Sequence, residues 1–161
     1  MITILHNVRS QHNVGSIFRT SDAVGVEKLY LCGITPAPID KYGRPNTKML
    51  KVSLGAENSV GWESVKSTTH LVDRLKKQGY FIVAVELAPR AVPYFVIKRT
   101  KKQAEKTAII MGGEVKGLSP AILKRADIIA QIPMCGTKES LNVSVAYGII
   151  AYHLQIRNFM I

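Results

Sequence analysis

The architecture of this chain is best predicted from the segment Ile132-Pro-Met-Cys-Gly-Thr-Lys-Glu-Ser-Leu-Asn-Val-Ser-Val-Ala146, near its C-terminal end. A loop rich in Pro and Gly gives way there to a long apolar run, and Ser140 and Asn142 lie at the change. In α/β proteins, a loop that follows a buried strand and leads into a helix is a common place for a small-molecule site. The segment therefore predicts a strand, a binding loop and a helix, in that order.

Along the whole chain, short apolar strands alternate with helices. The pattern predicts strands at residues 1–5, 27–32, 59–65, 80–87, 107–111 and 127–132, and helices at 13–24, 69–78, 120–125 and 141–158. Strands that are apolar on both faces need helices on both sides. We therefore expect an α/β fold, an open and mostly parallel sheet with helices on both faces, in a single domain over residues 1–161. Residues 34–55 mix Pro and Gly with Lys and Arg, which predicts a mobile basic loop rather than a packed element.

The charge of the chain indicates an anionic partner. Its 161 residues include 22 Lys and Arg against 11 Asp and Glu, a net charge of +11. This excess favours nucleic acid over a membrane surface, because the sequence has no basic amphipathic helix. It also has no secretion signal and no apolar run long enough to cross a bilayer. Cys32 and Cys135 lack Cys-x-x-Cys spacing and nearby His partners, so we expect no disulfide, no metal site and a cytoplasmic location.

The glycines exclude two nucleotide-binding classes. No Gly-x-Gly-x-x-Gly follows the first strand, which argues against an ordinary dinucleotide fold. Gly112 and Gly117 have the spacing of a phosphate loop, but Leu118 replaces the lysine that such a loop requires. An uncharged adenosine group needs instead an apolar slot with backbone hydrogen-bonding groups, and loops that begin near Leu87, Gly112 and Ile132 would supply one.

Three polar residues near these loops each have two interpretations. Asn13 is either a helix cap or, six residues before Arg19, part of a phosphate-binding group at the N-terminal end of its helix, where Gly15 would clear the approach. Arg19 is either a solvated surface residue or the second member of that group. Glu114 is either a loop charge or a buried carboxylate that anchors a neighbouring arginine or a backbone amide.

The helix predicted at 141–158 is apolar on almost every side, which indicates complete burial. In a chain of this length we expect a partner subunit to complete that burial, and therefore a homodimer. The alternative is a core helix within a monomer. Ser140 and Asn142, just before this helix, are either helix caps or members of the site.

Three motifs occur in a recognisable order and spacing. They are Asn13-x-Gly-x-x-x-Arg19, Gly112-x-Glu-x-x-Gly-Leu-Ser119, and Ile132-Pro-Met-x-Gly136 leading to Ser140-Leu-Asn-Val-Ser-Val-Ala146. Together they resemble the signature of the SpoU/TrmH branch of the SPOUT RNA ribose methyltransferases. The likeness extends from Ile4 to about Tyr152.

The resemblance implies a fold whose C-terminal segment forms a trefoil knot, a dimer whose active sites draw on both subunits, and S-adenosylmethionine as methyl donor. The residues at the family's cofactor-binding positions are Leu87, Gly112, Ile132, Ser140 and Leu141. The residues at its active-site positions are Asn13, Arg19, Glu114, Ser140 and Asn142. We expect no RNA-recognition domain before Met1 and no basic extension after Ile161, so RNA selection would depend on the basic loops of this domain.

The implied reaction is methylation of a ribose 2′-hydroxyl of tRNA or rRNA by in-line displacement. Arg19 would act as general base only with strong help from its surroundings, because a free guanidinium stays protonated. The milder hypothesis is that Arg19 grips a phosphate and stabilises the forming alkoxide. Asn13 and Glu114 would hold Arg19 and the substrate, while Ser140 and Asn142 would serve the cofactor end. One alternative is a non-catalytic RNA-binding or ribosome-assembly protein that retains the fold, and a more distant one is methylation of a base nitrogen.

Overall fold

The computed structural model describes residues 1–156, which form a seven-stranded sheet flanked by helices. The strands are β1 (Ile2–His6), β2 (Lys28–Cys32), β3 (Gly61–Val65), β4 (Phe81–Val85), β5 (Val92–Pro93), β6 (Thr107–Gly112) and β7 (Ile128–Gln131). The helices are α1 (Gln11–Val24), α2 (Thr47–Ser53), α3 (Ala56–Ser59), α4 (Thr68–Lys77), α5 (Lys101–Glu105), α6 (Pro120–Leu123) and α7 (Val143–Ile156), and a 3₁₀ turn lies at Tyr94–Val96. The predicted α/β fold is confirmed, and all pairings between these strands are parallel.

The strands lie in the order β3-β2-β1-β6-β4-β7-β5. His6, the last residue of β1, pairs with Cys32 on one side and with Gly112 on the other. Because the strands are parallel, the loops that follow β1, β6, β4 and β7 leave from the same edge of the sheet, where open α/β sheets bind ligands. This edge brings together segments that are far apart in the sequence.

Helices cover both faces of the sheet. In β1, Ile4 packs into a core with α4 and α6, while Leu5 packs into a second core with α1, α2 and α7. Both side chains are fully buried. The burial of neighbouring residues on opposite faces is the arrangement expected for strands of a covered parallel sheet.

Helix α1 begins two residues earlier than predicted. Ser10 is its N-cap, because the Ser10 Oγ accepts a hydrogen bond from the backbone N–H of Asn13 at 3.2 Å. The helix ends at Gly25, which has a left-handed backbone with a φ of 75°. The interpretation of Asn13 as a cap is therefore wrong, and its side chain is available for other contacts.

The prediction of an unpacked loop over residues 34–55 is wrong for its second half, where α2 forms. Asn46 caps this helix by accepting a hydrogen bond from the N–H of Met49 at 3.4 Å, and the Met49 side chain is fully buried. A Cβ on Gly15 of α1 would lie only 2.7 Å from the carbonyl oxygen of Met49. Gly15 therefore allows α1 and α2 to pack closely, rather than clearing the approach of a phosphate as the sequence predicted.

Helix α7 begins at Val143 instead of residue 141, and its predicted end at Asn158 lies outside the described residues. Its inner side buries Val143, Tyr147, Ile150, Ala151 and Leu154. Its outer side carries an apolar stripe that is 42–51% exposed, formed by Val145, Tyr152 and Ile156. The trefoil knot that the resemblance implies stays a prediction. None of the helices within residues 1–156 has the length and apolar character that a bilayer-spanning segment requires.

Candidate functional site

A cleft of about 820 Å³ lies at the edge of the sheet where β4, β6 and β7 end. Its walls come from the loops that follow these strands, at residues 86–89, 113–118 and 132–142. All five residues predicted at cofactor-binding positions line it: Leu87, Gly112, Ile132, Ser140 and Leu141. The volume is in the range of sites for small organic ligands.

Glycines shape the wall contributed by the loop after β6. The N–H of Gly117 donates a hydrogen bond to the carbonyl oxygen of Gly113 at 3.0 Å, so the loop folds back on itself. A Cβ on Gly112 would lie 2.7 Å from the carbonyl carbon of Gly117, and a Cβ on Gly113 would lie 2.1 Å from the carbonyl oxygen of Asn7. Any side chain at these positions would displace the loop, and the wall is therefore made largely of backbone.

Glu86 is a residue of the cleft that the sequence analysis missed. Its Oε2 accepts a hydrogen bond from the N–H of Leu118 at 2.7 Å, and its Oε1 accepts one from the N–H of Leu87 at 3.0 Å. Glu86 therefore ties the loop after β4 to the loop after β6. The sequence pattern places Glu86 inside the strand predicted at residues 80–87, whereas β4 ends at Val85. The available signal was an acidic residue at the end of an otherwise apolar run.

Asn13, Glu114 and Asn142 form a hydrogen-bonded network at the rim of the cleft. The Asn13 Nδ2 donates to the Glu114 Oε1 at 2.7 Å, and the Asn142 Nδ2 donates to the Asn13 Oδ1 at 3.1 Å. Each residue belongs to a different one of the three sequence motifs. The structure therefore brings the three motifs together in one place.

Glu114 anchors a backbone amide, as one of its two interpretations proposed, but its side chain is exposed and not buried. Its Oε2 accepts a hydrogen bond from the N–H of Arg9 at 3.3 Å. Partial burial raises the pKa of Glu114, but hydrogen bonds from its own backbone, from Asn13 and from the backbone of Arg9 and Ser10 together hold the pKa below its usual value. Glu114 is therefore ionised at neutral pH and acts as an acceptor at the junction of two loops.

Asn142 is both a cap and a member of the network, while Ser140 is neither. The Asn142 Oδ1 accepts hydrogen bonds from the N–H of Ser144 at 2.9 Å and from its Oγ at 2.7 Å, which caps α7. Ser140 is exposed, lines the cleft and has no hydrogen bond to another residue in the described part of the chain. Its hydroxyl is thus available to a ligand.

Arg19 lies outside this cleft. It is exposed on α1 and forms no hydrogen bond or ion pair with other residues in 1–156. The next residue, Thr20, packs near Gly148, since a Cβ there would lie 3.9 Å from the Thr20 Cγ2. Arg19 is therefore next in sequence to a residue at the contact between α1 and α7, and within residues 1–156 it forms no hydrogen bond or ion pair with Asn13 or Glu114.

A second cleft, of about 640 Å³, adjoins the first. Its walls are Arg9, Gln11, His12, Lys48 and Lys51. The backbone N–H of Arg9 bonds to Glu114, so this basic cleft begins where the network at the rim of the first one ends. It joins Arg9 to two lysines of residues 34–55, the segment that the sequence analysis had predicted to be a basic loop.

Similar proteins cover almost the whole chain. The chain is 36% identical over 159 residues to the tRNA (guanosine(18)-2'-O)-methyltransferase of Aquifex aeolicus (strain VF5), covering 96% of this chain and 68% of that protein. It is 30% identical over 150 residues to the 23S rRNA (guanosine-2'-O-)-methyltransferase RlmB of Neisseria meningitidis serogroup B, covering 93% and 56% respectively. Its structure superimposes with a TM-score of 0.85 and 27% identity on an AdoMet-bound rRNA methyltransferase from Sinorhizobium meliloti, covering 97% of this chain and 56% of that one.

This chain therefore spans 56–68% of the length of these three proteins. Within that span, the profile of the SpoU rRNA Methylase family matches residues 1–152, which include all three motifs. The parallel sheet, the cleft at its edge and the sequence match agree. The chain belongs to the SpoU rRNA Methylase family, whose methyl donor is S-adenosylmethionine.

Proposed function

We propose that this chain transfers a methyl group from S-adenosylmethionine to a ribose 2′-hydroxyl of tRNA or rRNA, as one methyltransferase domain over residues 1–161. The observation that carries the proposal is the meeting of three distant motifs at one cleft, whose rim is closed by the network of Asn13, Glu114 and Asn142. Relatives that are 30–36% identical are named as guanosine 2'-O-methyltransferases of tRNA and of 23S rRNA.

The cleft fits S-adenosylmethionine in size and chemistry. Leu87, Ile132 and Leu141 offer apolar walls to an adenine ring, and the glycine loop at residues 112–117 offers backbone hydrogen-bonding groups at close range. The exposed hydroxyl of Ser140 adds a polar contact. When bound, S-adenosylmethionine supplies an electrophilic methyl group on a sulfonium centre.

The chain itself then has to align the ribose hydroxyl and help its proton leave. We assign to Arg19 the grip on a neighbouring phosphate and the stabilisation of the forming alkoxide, because an exposed guanidinium keeps its proton. Asn13 and Glu114 hold the rim of the cleft in place through their mutual hydrogen bond. Arg19 therefore positions the substrate in this proposal and does not act as base.

The proposal includes a homodimer that covers the outer stripe of α7. Beside that stripe, Phe95 and Val96 of the 3₁₀ turn are each 49% exposed, and the turn packs on α7. An apolar surface of this kind is typical of a subunit interface. Because Arg19 lies outside the cleft of its own chain, a second copy on this surface would allow two chains to share one active site. The free thiols of Cys32 and Cys135 support a cytoplasmic location.

The reaction is tested by incubating the purified chain with unmodified tRNA or rRNA and isotopically labelled S-adenosylmethionine, followed by nuclease digestion and nucleoside mass spectrometry. We expect the label on ribose. Calorimetry should show donor binding that Leu141→Asp abolishes, because a carboxylate would enter an apolar wall. The matched variant Leu54→Asp should bind normally, since Leu54 is 66% exposed and lies outside the cleft. Label on a base, or no donor uptake with or without RNA, would contradict the proposal.

Two substitutions distinguish the proposed positioning role of Arg19 from a general-base role and from a non-catalytic RNA-binding protein. Arg19→Lys should leave little activity at any pH and weaken RNA binding if Arg19 positions a phosphate, whereas substantial activity with a lowered pH optimum would indicate a base. Arg19→Ala should abolish methylation. A non-catalytic RNA-binding protein would instead bind RNA unchanged in this variant and would have no need of the donor.

The dimer is tested by Val145→Asp, which places a charge at the N-terminal end of the outer stripe of α7, on its most exposed residue. Sedimentation should show a dimer for the unmodified chain and for Leu54→Asp, and a monomer for Val145→Asp. If the unmodified chain sedimented as a monomer at all accessible concentrations, the proposed homodimer would be contradicted.

A further inference from the structure

Residues Asp40–Arg44 form the tip of a small hairpin that none of the functions above uses. Ile39 and Pro45 form an antiparallel bridge at its base, and the N–H of Asp40 donates to the carbonyl oxygen of Arg44 at 2.9 Å. Tyr42 lies at the tip and is 70% exposed, which makes it the most exposed aromatic side chain within residues 1–156. The ring is therefore accessible to a partner molecule.

The carboxylate of Asp40 fixes the shape of this tip. Its Oδ1 accepts hydrogen bonds from the N–H of Tyr42 at 2.8 Å and of Arg44 at 2.9 Å, and its Oδ2 accepts one from the Arg44 Nε at 2.8 Å. The bond from the Arg44 backbone is the main reason why the pKa of Asp40 is below its usual value. Gly43 supports the turn with a φ of 78°. The tip is therefore ordered by its own contacts, although its ring packs against no core.

Two cations lie close to the Tyr42 ring. The Lys41 Nζ is 4.9 Å and the Arg44 guanidinium carbon 5.0 Å from the ring centroid. Arg44 is held in place by Asp40, whereas Lys41 forms no hydrogen bond or ion pair with the residues that the structure describes. A cation over an exposed ring is bound more weakly than a stacked base, so an incoming base would displace Lys41, which would then be available to a phosphate.

The hairpin is fixed to the basic cleft through α2. The N–H of Asn46, which caps α2, donates to the carbonyl oxygen of Pro38 at 2.8 Å. Helix α2 carries Lys48 and Lys51, which line the basic cleft together with Arg9. The hairpin that carries Tyr42 is thus attached directly to the helix that carries two lysines of the basic cleft. Stacking surfaces combined with cations that follow a backbone are typical of proteins that bind single-stranded nucleic acid.

We propose that Tyr42 stacks on an unpaired base of the RNA, while Arg9, Lys48 and Lys51 bind phosphates of the same strand. The proposal rests on the RNA substrate named under the proposed function and adds to it the part of the RNA that is recognised, an unpaired stretch near the target nucleotide. Base-paired RNA hides its base faces, so a fully helical substrate would leave Tyr42 without a partner.

The test measures the affinity of the full chain for a single-stranded RNA of about ten nucleotides that contains 2-aminopurine, a fluorescent base whose emission falls on stacking. Tyr42→Ala should weaken binding by about tenfold or more and remove the quenching, whereas Tyr42→Phe should preserve both. Because the tyrosine carries no charge, the slope of affinity against salt concentration should be the same in Tyr42→Ala as in the unmodified chain. The slope should fall by about one for Lys48→Ala and again for Lys51→Ala.

Lys77→Ala is the matched control for the lysines, because Lys77 is exposed on α4, on the opposite face of the sheet from α2. Its affinity and salt slope should stay near those of the unmodified chain. Equal RNA binding by Tyr42→Ala and the unmodified chain would overturn the inference. A loss on Tyr42→Ala that comes with a reduced salt slope would overturn it as well, since the effect would then be electrostatic.

Two further measurements distinguish this inference from membrane binding and from the proposed methyl transfer. If Tyr42→Ala weakened binding to phosphatidylglycerol vesicles and left RNA binding unchanged, the surface would bind a membrane and the inference would fail. If the unmodified chain stacked on RNA through Tyr42 but transferred no methyl group, the proposed function would fail while this inference stood. If Tyr42→Ala methylated and bound RNA as the unmodified chain does, this inference would fail while the proposed function stood.

Discussion

The Asn13 Nδ2 lies 2.7 Å from the Oε1 of Glu114, a residue that follows it by 101 positions in the sequence. The same Asn13 accepts a hydrogen bond from Asn142, which caps α7. One carboxamide therefore connects the first helix, the loop after β6 and the last helix. The geometry requires a donor and an acceptor in the side chain at position 13, which an amide provides and a carboxylate does not.

Asn13→Ala is expected to lower the free energy of unfolding by about 1–2 kcal/mol, because it removes two hydrogen bonds at an exposed site. Asn13→Asp should be worse, because it sets two carboxylates against each other. The double variant Asn13→Asp with Glu114→Gln should recover much of the loss, since the glutamine amide would donate to the new carboxylate. Urea denaturation of the four proteins checks this order. A double variant no more stable than Asn13→Asp would show that the pair does not interact.

Gly15→Ala and Gly148→Ala should change stability in opposite directions. A Cβ on Gly15 would lie 2.7 Å from the carbonyl oxygen of Met49 and 3.0 Å from the Val52 Cβ, so α2 would be pushed away at a cost of about 1–3 kcal/mol. Gly148 lies inside α7 with only Thr20 nearby, at 3.9 Å, so alanine should stabilise the helix by about 0.5–1 kcal/mol. Thermal unfolding of both variants provides the comparison. A Gly15→Ala protein as stable as the unmodified chain would refute the close packing of α1 and α2.

Tyr147→Phe is expected to destabilise the core by about 1–3 kcal/mol, because its buried hydroxyl bonds to the Ser21 Oγ at 2.7 Å and the Thr3 Oγ1 at 3.2 Å. Burial also raises the pKa of Tyr147 to about 12, so the hydroxyl stays protonated. Tyr152→Phe on the same helix is the control, since Tyr152 is 42% exposed and forms no hydrogen bond within residues 1–156. Chemical denaturation should give a free energy of unfolding that is lower for Tyr147→Phe than for Tyr152→Phe by at least about 1 kcal/mol. Equal midpoints would mean that the buried hydrogen bonds contribute nothing.

His6 should make stability depend on pH. The His6 Nδ1 bonds to the Thr68 Oγ1 at 2.7 Å, and its Nε2 accepts from the Asn7 Nδ2 at 3.0 Å, which requires a neutral ring. Burial holds the pKa of His6 below its usual 6.5. The folded state thus binds fewer protons than the unfolded state below pH 6.5, so this contribution to stability is complete above 6.5 and is lost as the pH falls through the folded pKa.

The measurement is the urea midpoint as a function of pH for three proteins. His6→Gln should have a flatter profile below pH 6.5 than the unmodified chain. His70→Gln, which changes an exposed residue of α4, should keep the slope of the unmodified chain. Identical slopes in all three proteins would exclude His6 as the group responsible.

Much of the fold was predictable from the sequence, because its strands are short, apolar on both faces and separated by clear helix ends such as Gly25. Helix α2 was not. Pro36, Pro38 and Pro45 dominate the composition of its surroundings, while the burial of Met49 against Gly15 is a tertiary contact that no local pattern contains. The packing of a single methionine outweighed the turn signals around it.

The candidate site was likewise predictable only in part. The motifs predicted which residues line the cleft, since parallel strands end at a common edge. They did not predict that Ser10, rather than Asn13, caps α1, because Ser and Asn are both good caps. Asn13 lies three positions after the cap, and its side chain bonds to Glu114 instead. Glu86 was missed because its partners are backbone amides of another loop, and such contacts leave no mark in the identity of the residues that donate them.

The glycine loop after β6 sets a limit on redesign of this protein. Gly112, Gly113 and Gly117 are each in contact with neighbouring atoms that a single added carbon would strike. One wall of the cleft therefore cannot be remodelled by substitution. In the proposed function, donor analogues with a larger purine would therefore have to be accommodated by shortening apolar side chains of the cleft, with Leu87 and Leu141 as the natural positions.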